Sequence, residues 1–225
     1  MNKTMIAKIN WILSNLVGKT LELTVWTYFT FICKGKVNHI EKLPNGPCIL
    51  AFNHESYMDW MFVYDIFKRN YKKKIYFVAK KKLFTSYFFN LLMQYGNAIC
   101  LNQEKVDKSS IKEILRVLKK DSGIIGIFPE GTRSRTGKLL KGYPGIVKLW
   151  KLSKVPIVPV GLNGFYEVLP PSCIIPRRFS CSIDIGTPLY YEQIVKGSHN
   201  DDFLVSNIMQ EIAKLTNQEY EFCID

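Results

Sequence analysis

The 225 residues suffice for one domain with a sizeable core, and a 47% hydrophobic content excludes a disordered chain. Lysine and arginine total 31 against 19 acidic residues, a net charge of +12. That surplus points to an anionic partner, whether nucleic acid, acidic lipid head groups or a phosphorylated substrate, and charge alone does not choose. The six cysteines include no close pair, which argues against a zinc site. The apolar neighbours of Cys33, Cys48 and Cys100 predict buried free thiols and a reducing, cytosol-facing location.

Residues 6–33 are apolar and aromatic, interrupted by Lys8, Lys19 and Glu22. The longest clean run, 23–33, is too short to span a bilayer as a helix. No small-residue cleavage site follows a short apolar core, so a signal peptide fits poorly. The pattern fits an interfacial helix, or a helical hairpin dipping into one leaflet. Trp11, Trp26, Tyr28, Phe29 and Phe31 would then lie near the head groups, with Lys3, Lys8 and Lys19 facing phosphates. A pair of helices packed on the domain is the alternative. Residues 1–33 are thus set apart from 34–225, which read as one α/β domain.

Pro44-Asn45-Gly46-Pro47 is a turn. Short apolar runs at 48–52, 75–79, 98–101 and 124–128 read as strands. Residues 155–160 read as a fifth, placed at an edge or an irregular position by two prolines. Residues 180–185 alternate and end in Gly186-Thr187-Pro188. Helical spacing marks 58–68, 83–95, 109–119, 146–152 and 203–215. The alternation predicts a mixed, partly parallel sheet flanked by helices. Segment 83–95 is apolar around its circumference and follows three lysines; it reads equally as a core helix or a second membrane-facing one.

Two segments carry chemistry. The first, NHESYMDW from Asn53, follows a strand and precedes a helix. His54 in the loop and Asp59 in the first helical turn can meet. The carboxylate would fix the imidazole tautomer and leave the other nitrogen to take a proton. With three histidines and eight aspartates, one H-x4-D pair arises by chance in about one such sequence in ten, so the pair alone is weak. Ser56 and Asp59 also have capping-box spacing. The second segment, FPEGTRSR from Phe128, follows an apolar strand. Gly131 permits close backbone approach, Thr132 offers a hydroxyl, and Arg133 and Arg135 offer planar forks suited to phosphate. Lys138 and Lys141 add charge. A Walker A loop is excluded, because the glycine spacing is one residue too long and Leu139 follows Lys138. Glu130, beside these cations, is expected to be ionised and to orient Arg133 or a substrate hydroxyl. No cluster of acids or histidines suggests a metal.

NHESYMD resembles the N-H-x4-D block of glycerolipid acyltransferases, and FPEGTRSR resembles their F-P-E-G-T-R-S block. Their order and spacing are most similar to the 1-acylglycerol-3-phosphate (lysophosphatidic acid) acyltransferases. VPIVPV from Val155 resembles the fourth block, and residues 183–189 the closing strand and Gly-x-Pro turn. The resemblance covers about residues 35–190. It implies acyl transfer from acyl-CoA or acyl carrier protein to a lysophospholipid hydroxyl, at the cytoplasmic face of an anionic membrane and without a cofactor. His54 and Asp59 would be catalytic, and Glu130, Gly131, Thr132 and Arg133 would hold the acceptor phosphate. One block departs: Asn102 and Gln103 stand where the family has Asp-Arg. Uncharged Gln103 cannot make a bidentate ionic contact, so Gln103, Lys105 and Lys141 are candidate acceptor contacts and the head group stays open. Backbone N–H groups near Gly131 are candidate oxyanion donors. A serine hydrolase lacks its G-x-S-x-G elbow here, although Ser56 lies close to His54. A basic membrane- or nucleic-acid-binding module would explain the charge but not FPEGTRSR, and no nucleic-acid motif is present.

Overall fold

The computed structural model describes residues 3–71, 74–101, 108–120, 123–194 and 200–222. Among them, strands β1 (Lys36–Asn38), β2 (Cys48–Phe52), β3 (Ile75–Lys80), β4 (Ile99–Leu101), β5 (Ile124–Ile127), β6 (Ile157–Asn163) and β7 (Ser182–Ile185) form one sheet. Its order is β1-β7-β6-β2-β5-β3-β4. The pairs are parallel except β6 with β7, which run antiparallel. The expected mixed, partly parallel α/β architecture is therefore what the chain adopts, with parallel pairs in the majority.

Both faces of the sheet are covered, which is why β2 is apolar at every position. Successive side chains point to opposite faces. Cys48, Leu50 and Phe52 face a core shared with Phe29, Phe62, Val63 and Phe165. Ile49 and Ala51 face the other core, filled by Trp150, Ile114, Ile208 and Met209. Helix α1 (Lys3–Thr27), α2 (Asp59–Ile66) and the short α6 (Phe165–Val168) contribute to the first core. The second takes α4 (Lys108–Lys120), α5 (Gly145–Ser153) and α8 (Asp201–Thr216), whose apolar residues recur at helical spacing. Helix α3 (Tyr87–Tyr95) packs on α1, and the four-residue α7 (Tyr191–Ile194) follows β7.

Two expectations narrow, and one strand joins the sheet unannounced. Of the two placements expected for residues 155–160, the irregular one holds and the edge one does not, because β6 lies between β2 and β7. Pro159 is accommodated where the β7-side ladder is interrupted. Ile157 exchanges bonds with Leu189, and the ladder resumes at Val160 opposite Ile185. The proline carbonyl still accepts from Gly186, and only its missing N–H falls at the irregularity. Strand β1 is too short to show a period in the sequence; pairing with β7 makes it a strand.

The N-terminus is not a hairpin. It is one helix continuing into a wider π turn, Tyr28–Ile32. Gly18 does not break it, because that position is needed bare: a Cβ there would lie 2.1 Å from the Tyr95 ring. Ser14 donates to the Leu91 carbonyl at 2.8 Å, and Glu22 bonds Lys68 at 2.6 Å and the Tyr95 hydroxyl. Of the aromatics expected near head groups, Phe29 is instead buried against Phe62, and Trp26 stacks under the Arg69 guanidinium. Trp11 and Phe31 remain exposed. Segment 83–95 divides between its two readings, burying Leu91, Leu92 and Met93 while exposing Leu83, Tyr87 and Phe89. Among the described residues, no helix is long and apolar enough to cross a membrane. Cys33 and Cys48 are buried free thiols; Cys100 is only half-buried.

Candidate active site

Because β2 and β5 are parallel neighbours, their carboxyl ends open at the same edge of the sheet. The chain leaves β2 for α2 on one face and β5 for α5 on the other. Crossovers diverging from adjacent parallel strands leave a crevice at their ends. Asn53 seals the first exit. Its side chain donates to the Leu162 carbonyl at 2.9 Å and accepts the Leu162 N–H at 2.7 Å, replacing the next rung of the β2–β6 ladder.

His54 follows. Its Nδ1 lies 2.8 Å from Asp59 Oδ2, and its ring stacks on Phe128 with centroids 4.0 Å apart. The imidazole is 19% exposed and the Asp59 carboxylate is sealed. Asp59 Oδ2 also accepts the N–H groups of Glu55 at 2.8 Å and Ser56 at 2.9 Å. The carboxylate thus closes half of a capping box while it holds the imidazole. The reciprocal half is absent: the Ser56 hydroxyl accepts from Met58 N at 3.2 Å, and α2 begins at Asp59 with Met58 as its cap. One carboxylate oxygen thus meets both the turn backbone and the imidazole. Ser56 is buried and serves as a turn brace, so it offers no exposed nucleophile.

The loop after β5 is bonded directly to His54. His54 N–H donates to Glu130 Oε1 at 2.8 Å, and Ser134 N–H donates to the His54 carbonyl at 2.8 Å. Gly131 adopts φ 64°, the left-handed conformation that favours glycine. Its N–H is already given to the Phe128 carbonyl at 3.0 Å, so that amide is not an oxyanion donor. Arg133 lies over the Tyr57 ring, 3.3 Å from the centroid. Its Nη1 is shielded from solvent and has no hydrogen-bond partner. An unpaired, desolvated guanidinium nitrogen is costly, and an anion would satisfy it. Thr132 and Lys141 are exposed on the same loop.

Glu130 does not act as expected. Its oxygens meet backbone N–H groups, of His54 and of Leu140 at 2.9 Å, rather than Arg133. Burial pushes its carboxyl up to about 8, against the pull of those two donors, with the Asp59 charge adding to the rise. Glu130 is a strut between the two loops. Gln103 and Lys105 lie outside the described residues.

Sequence reasoning missed the contribution of the chain's last turn. The Gln218 amide accepts Leu139 N–H at 3.0 Å and donates to Glu55 Oε1 at 3.2 Å. The Tyr220 hydroxyl accepts Gly142 N–H at 3.0 Å. These residues clamp the basic loop against the His54 turn, and no local motif signals them. Tyr57 was visible only as the aromatic inside NHESYMD.

Glu55 is buried beside this clamp, and its carboxyl rises from 4.5 to about 8. Burial is the main cause and the Asp59 charge the second, offset by hydrogen bonds from Asn53 and Gln218. In the unfolded chain the group ionises near 4.5, so between pH 4.5 and 8 the unfolded state binds fewer protons than the folded one. Stability from this group is complete below pH 4.5 and is lost as pH rises through 8. Glu55→Gln keeps the acceptor for Gln218 and removes that titration. The decline in unfolding free energy from pH 5 to 9, followed by urea denaturation, becomes shallower in the variant, with Glu130 supplying the remainder.

Residues 34–163 match the family model described as Acyltransferase, more than half of the chain. The chain belongs to the acyltransferase family. Three curated relatives similar to this chain are each called a 1-acyl-sn-glycerol-3-phosphate acyltransferase. The protein of Streptococcus pneumoniae is 33% identical over 81% of this chain and 66% of its own. That of Cocos nucifera is 34% identical over 53% of this chain and 38% of its own. That of Bacillus subtilis is 31% identical over 57% of this chain and 62% of its own. The chain therefore spans less than two thirds of the length of several relatives it matches. The crystal structure of the 1-acyl-sn-glycerophosphate (LPA) acyltransferase PlsC from Thermotoga maritima superposes with a TM-score of 0.69. The match covers 89% of this chain and 78% of that one at 24% identity, a likeness of fold.

Proposed function

We propose that this acyltransferase moves a fatty acyl group from a thioester, acyl-CoA or acyl carrier protein, to the free hydroxyl of a lysophospholipid at a membrane surface. The acceptor put first is 1-acylglycerol-3-phosphate, the substrate class in its relatives' names. The observation that carries the reading is the direct bonding of the His54–Asp59 pair to a loop that presents an unpartnered Arg133 nitrogen. A base and an anion site are thereby held within one crevice.

With Nδ1 occupied by Asp59, Nε2 is the nitrogen left to act. It takes the proton of the acceptor hydroxyl as the oxygen attacks the thioester carbonyl. Asp59 stabilises the imidazolium that forms. The tetrahedral intermediate collapses, the carbon–sulfur bond breaks, and the proton passes from His54 to the departing thiolate. Arg133 and Thr132 hold the acceptor phosphate, with Lys141 adding long-range attraction; Gly131, whose N–H is spent on Phe128, serves only to turn the loop. Glu130 braces the site through backbone bonds.

Residues 1–33 act as the interfacial segment and 34–225 as the catalytic domain. Support comes from α1, which is apolar on two opposite sides. Ser14, Gly18 and Val25 face the domain, while Met5, Ile9, Ile12, Leu16 and Leu23 form an exposed stripe flanked by Lys8 and Lys19.

The test is a panel of acyl-CoA and acyl carrier protein donors against several lysophospholipids, with released thiol as the readout. Transfer to no lysophospholipid overturns the proposal. Within the panel, Arg133→Lys keeps the charge but loses the planar fork. The acceptor KM rises about tenfold or more while the donor KM stays put. An unchanged acceptor KM removes Arg133 from the phosphate site.

A further inference from the structure

Residues 172–180 form a loop that the reaction does not use. Its tip exposes Ile174 and Ile175 at 92% and 74%, followed by Arg177, Arg178 and a half-exposed Phe179. Two adjacent aliphatic side chains left in water forgo the free energy that burial of their apolar surface would supply. The loop is not slack. Cys173 N–H donates to the Pro170 carbonyl at 2.9 Å, and Arg177 N–H to the Val168 carbonyl at 2.7 Å. The Tyr28 hydroxyl donates to the Arg177 carbonyl at 2.6 Å, and the Cys33 thiol meets the backbone of Phe179. These bonds hold the tip against the carboxyl end of the N-terminal helical segment, where Phe31 and Ile32 are also exposed.

We propose that the 172–180 loop is a second membrane anchor, in which Ile174 and Ile175 enter the interface of an anionic bilayer while Arg177 and Arg178 bind lipid phosphates. The apolar tip with adjacent arginines matches the layering of an anionic leaflet, acyl chains below and phosphates above. Tyr28 and Cys33 join the loop to the segment carrying the exposed α1 stripe, so one continuous occupant covers both. A protein partner would need two separate apolar sockets. The inference deepens the membrane-surface reading and rests on it for the role of α1, but not for the chemistry.

The experiment uses the full chain with vesicles of phosphatidylcholine, with or without phosphatidylglycerol. Ile174→Ser/Ile175→Ser lowers partitioning onto anionic vesicles by about tenfold or more. Arg177→Gln/Arg178→Gln lowers it by about tenfold on anionic vesicles and leaves it unchanged on phosphatidylcholine alone. Ile175→Trp gains fluorescence quenching by bromine-labelled lipid beyond that of the wild type. All three keep the wild-type melting temperature, and their turnover on short-chain substrates below the micelle concentration is unchanged. Wild-type partitioning in both double variants, or no added quenching in Ile175→Trp, overturns the anchor whatever the enzyme acylates. Loss of acidic carrier-protein binding with vesicle binding intact also overturns it, and assigns the loop to that protein. Vesicle binding that needs the loop in a protein with no acyl transfer supports the anchor and refutes only the proposed reaction.

Discussion

His54→Ala lowers acyl transfer by about 10²–10⁴-fold while the fold persists, because in the proposed reaction the variant removes the imidazole that takes the acceptor proton. The ring is partly exposed and packs mainly on Phe128, so its loss leaves a small surface hollow rather than a core cavity. The two hydrogen bonds that tie residue 54 to the basic loop are made by its backbone, to Glu130 and Ser134, and survive the substitution. Released thiol from single-turnover reactions measures the rate, and urea denaturation measures the fold. Wild-type turnover in His54→Ala removes the base from the mechanism. Equal loss of activity and of folded protein would instead make His54 a structural residue.

Asp59→Asn loses both rate and stability, and that combination separates the two residues. Asp59 Oδ2 accepts three donors, the imidazole and two backbone N–H groups, while Oδ1 is buried without a partner. An asparagine oxygen is a weaker acceptor without a charge, and its amide brings two donors into a pocket with none to spare. The cost is about 1–3 kcal/mol of folding free energy. The imidazole also loses the acceptor that fixes a proton on Nδ1. A flipped tautomer puts a hydrogen on Nε2, where a base cannot accept one, and turnover falls by about 10²–10⁴-fold. Removing the Asp59 charge further relieves Glu55 and Glu130, whose carboxyls it helps to push up. The fall of stability with rising pH therefore shifts to lower pH in Asp59→Asn. A pH-dependence identical to the wild type would show that the three carboxyls are not coupled.

Local signals announced most of this arrangement. Runs of apolar residues bounded by Gly, Pro and Asn marked β2 and β5, because a strand buried on both faces has no polar positions to hide it, and alternation before Gly186 marked β7. His54 and Asp59 were legible because five residues of chain bring them together without help from elsewhere. Arg133 was legible because a planar fork beside a glycine at a strand end suits an anion. Glu130 misled, since its sequence neighbours are cations but its spatial neighbours are backbone amides. The choice between edge and irregular position for β6 was open for the same reason: a proline forbids one hydrogen bond, and only the register against β7 shows that this bond was not required.

The chemical inventory of the site, an imidazole with its carboxylate and a guanidinium on a glycine-bearing turn, is local and was determined by the sequence by itself. Tertiary structure alone decided that β2 and β5 are parallel neighbours, so that the two loops meet. It also brought Gln218 and Tyr220 back across the chain to clamp them, and stacked Arg133 on Tyr57 with one nitrogen unpaired. The reason is physical. Motifs record which groups lie within a few bonds of each other, whereas strand order, burial and the pairing of distant hydrogen-bonding groups follow from the free energy of the whole packed core.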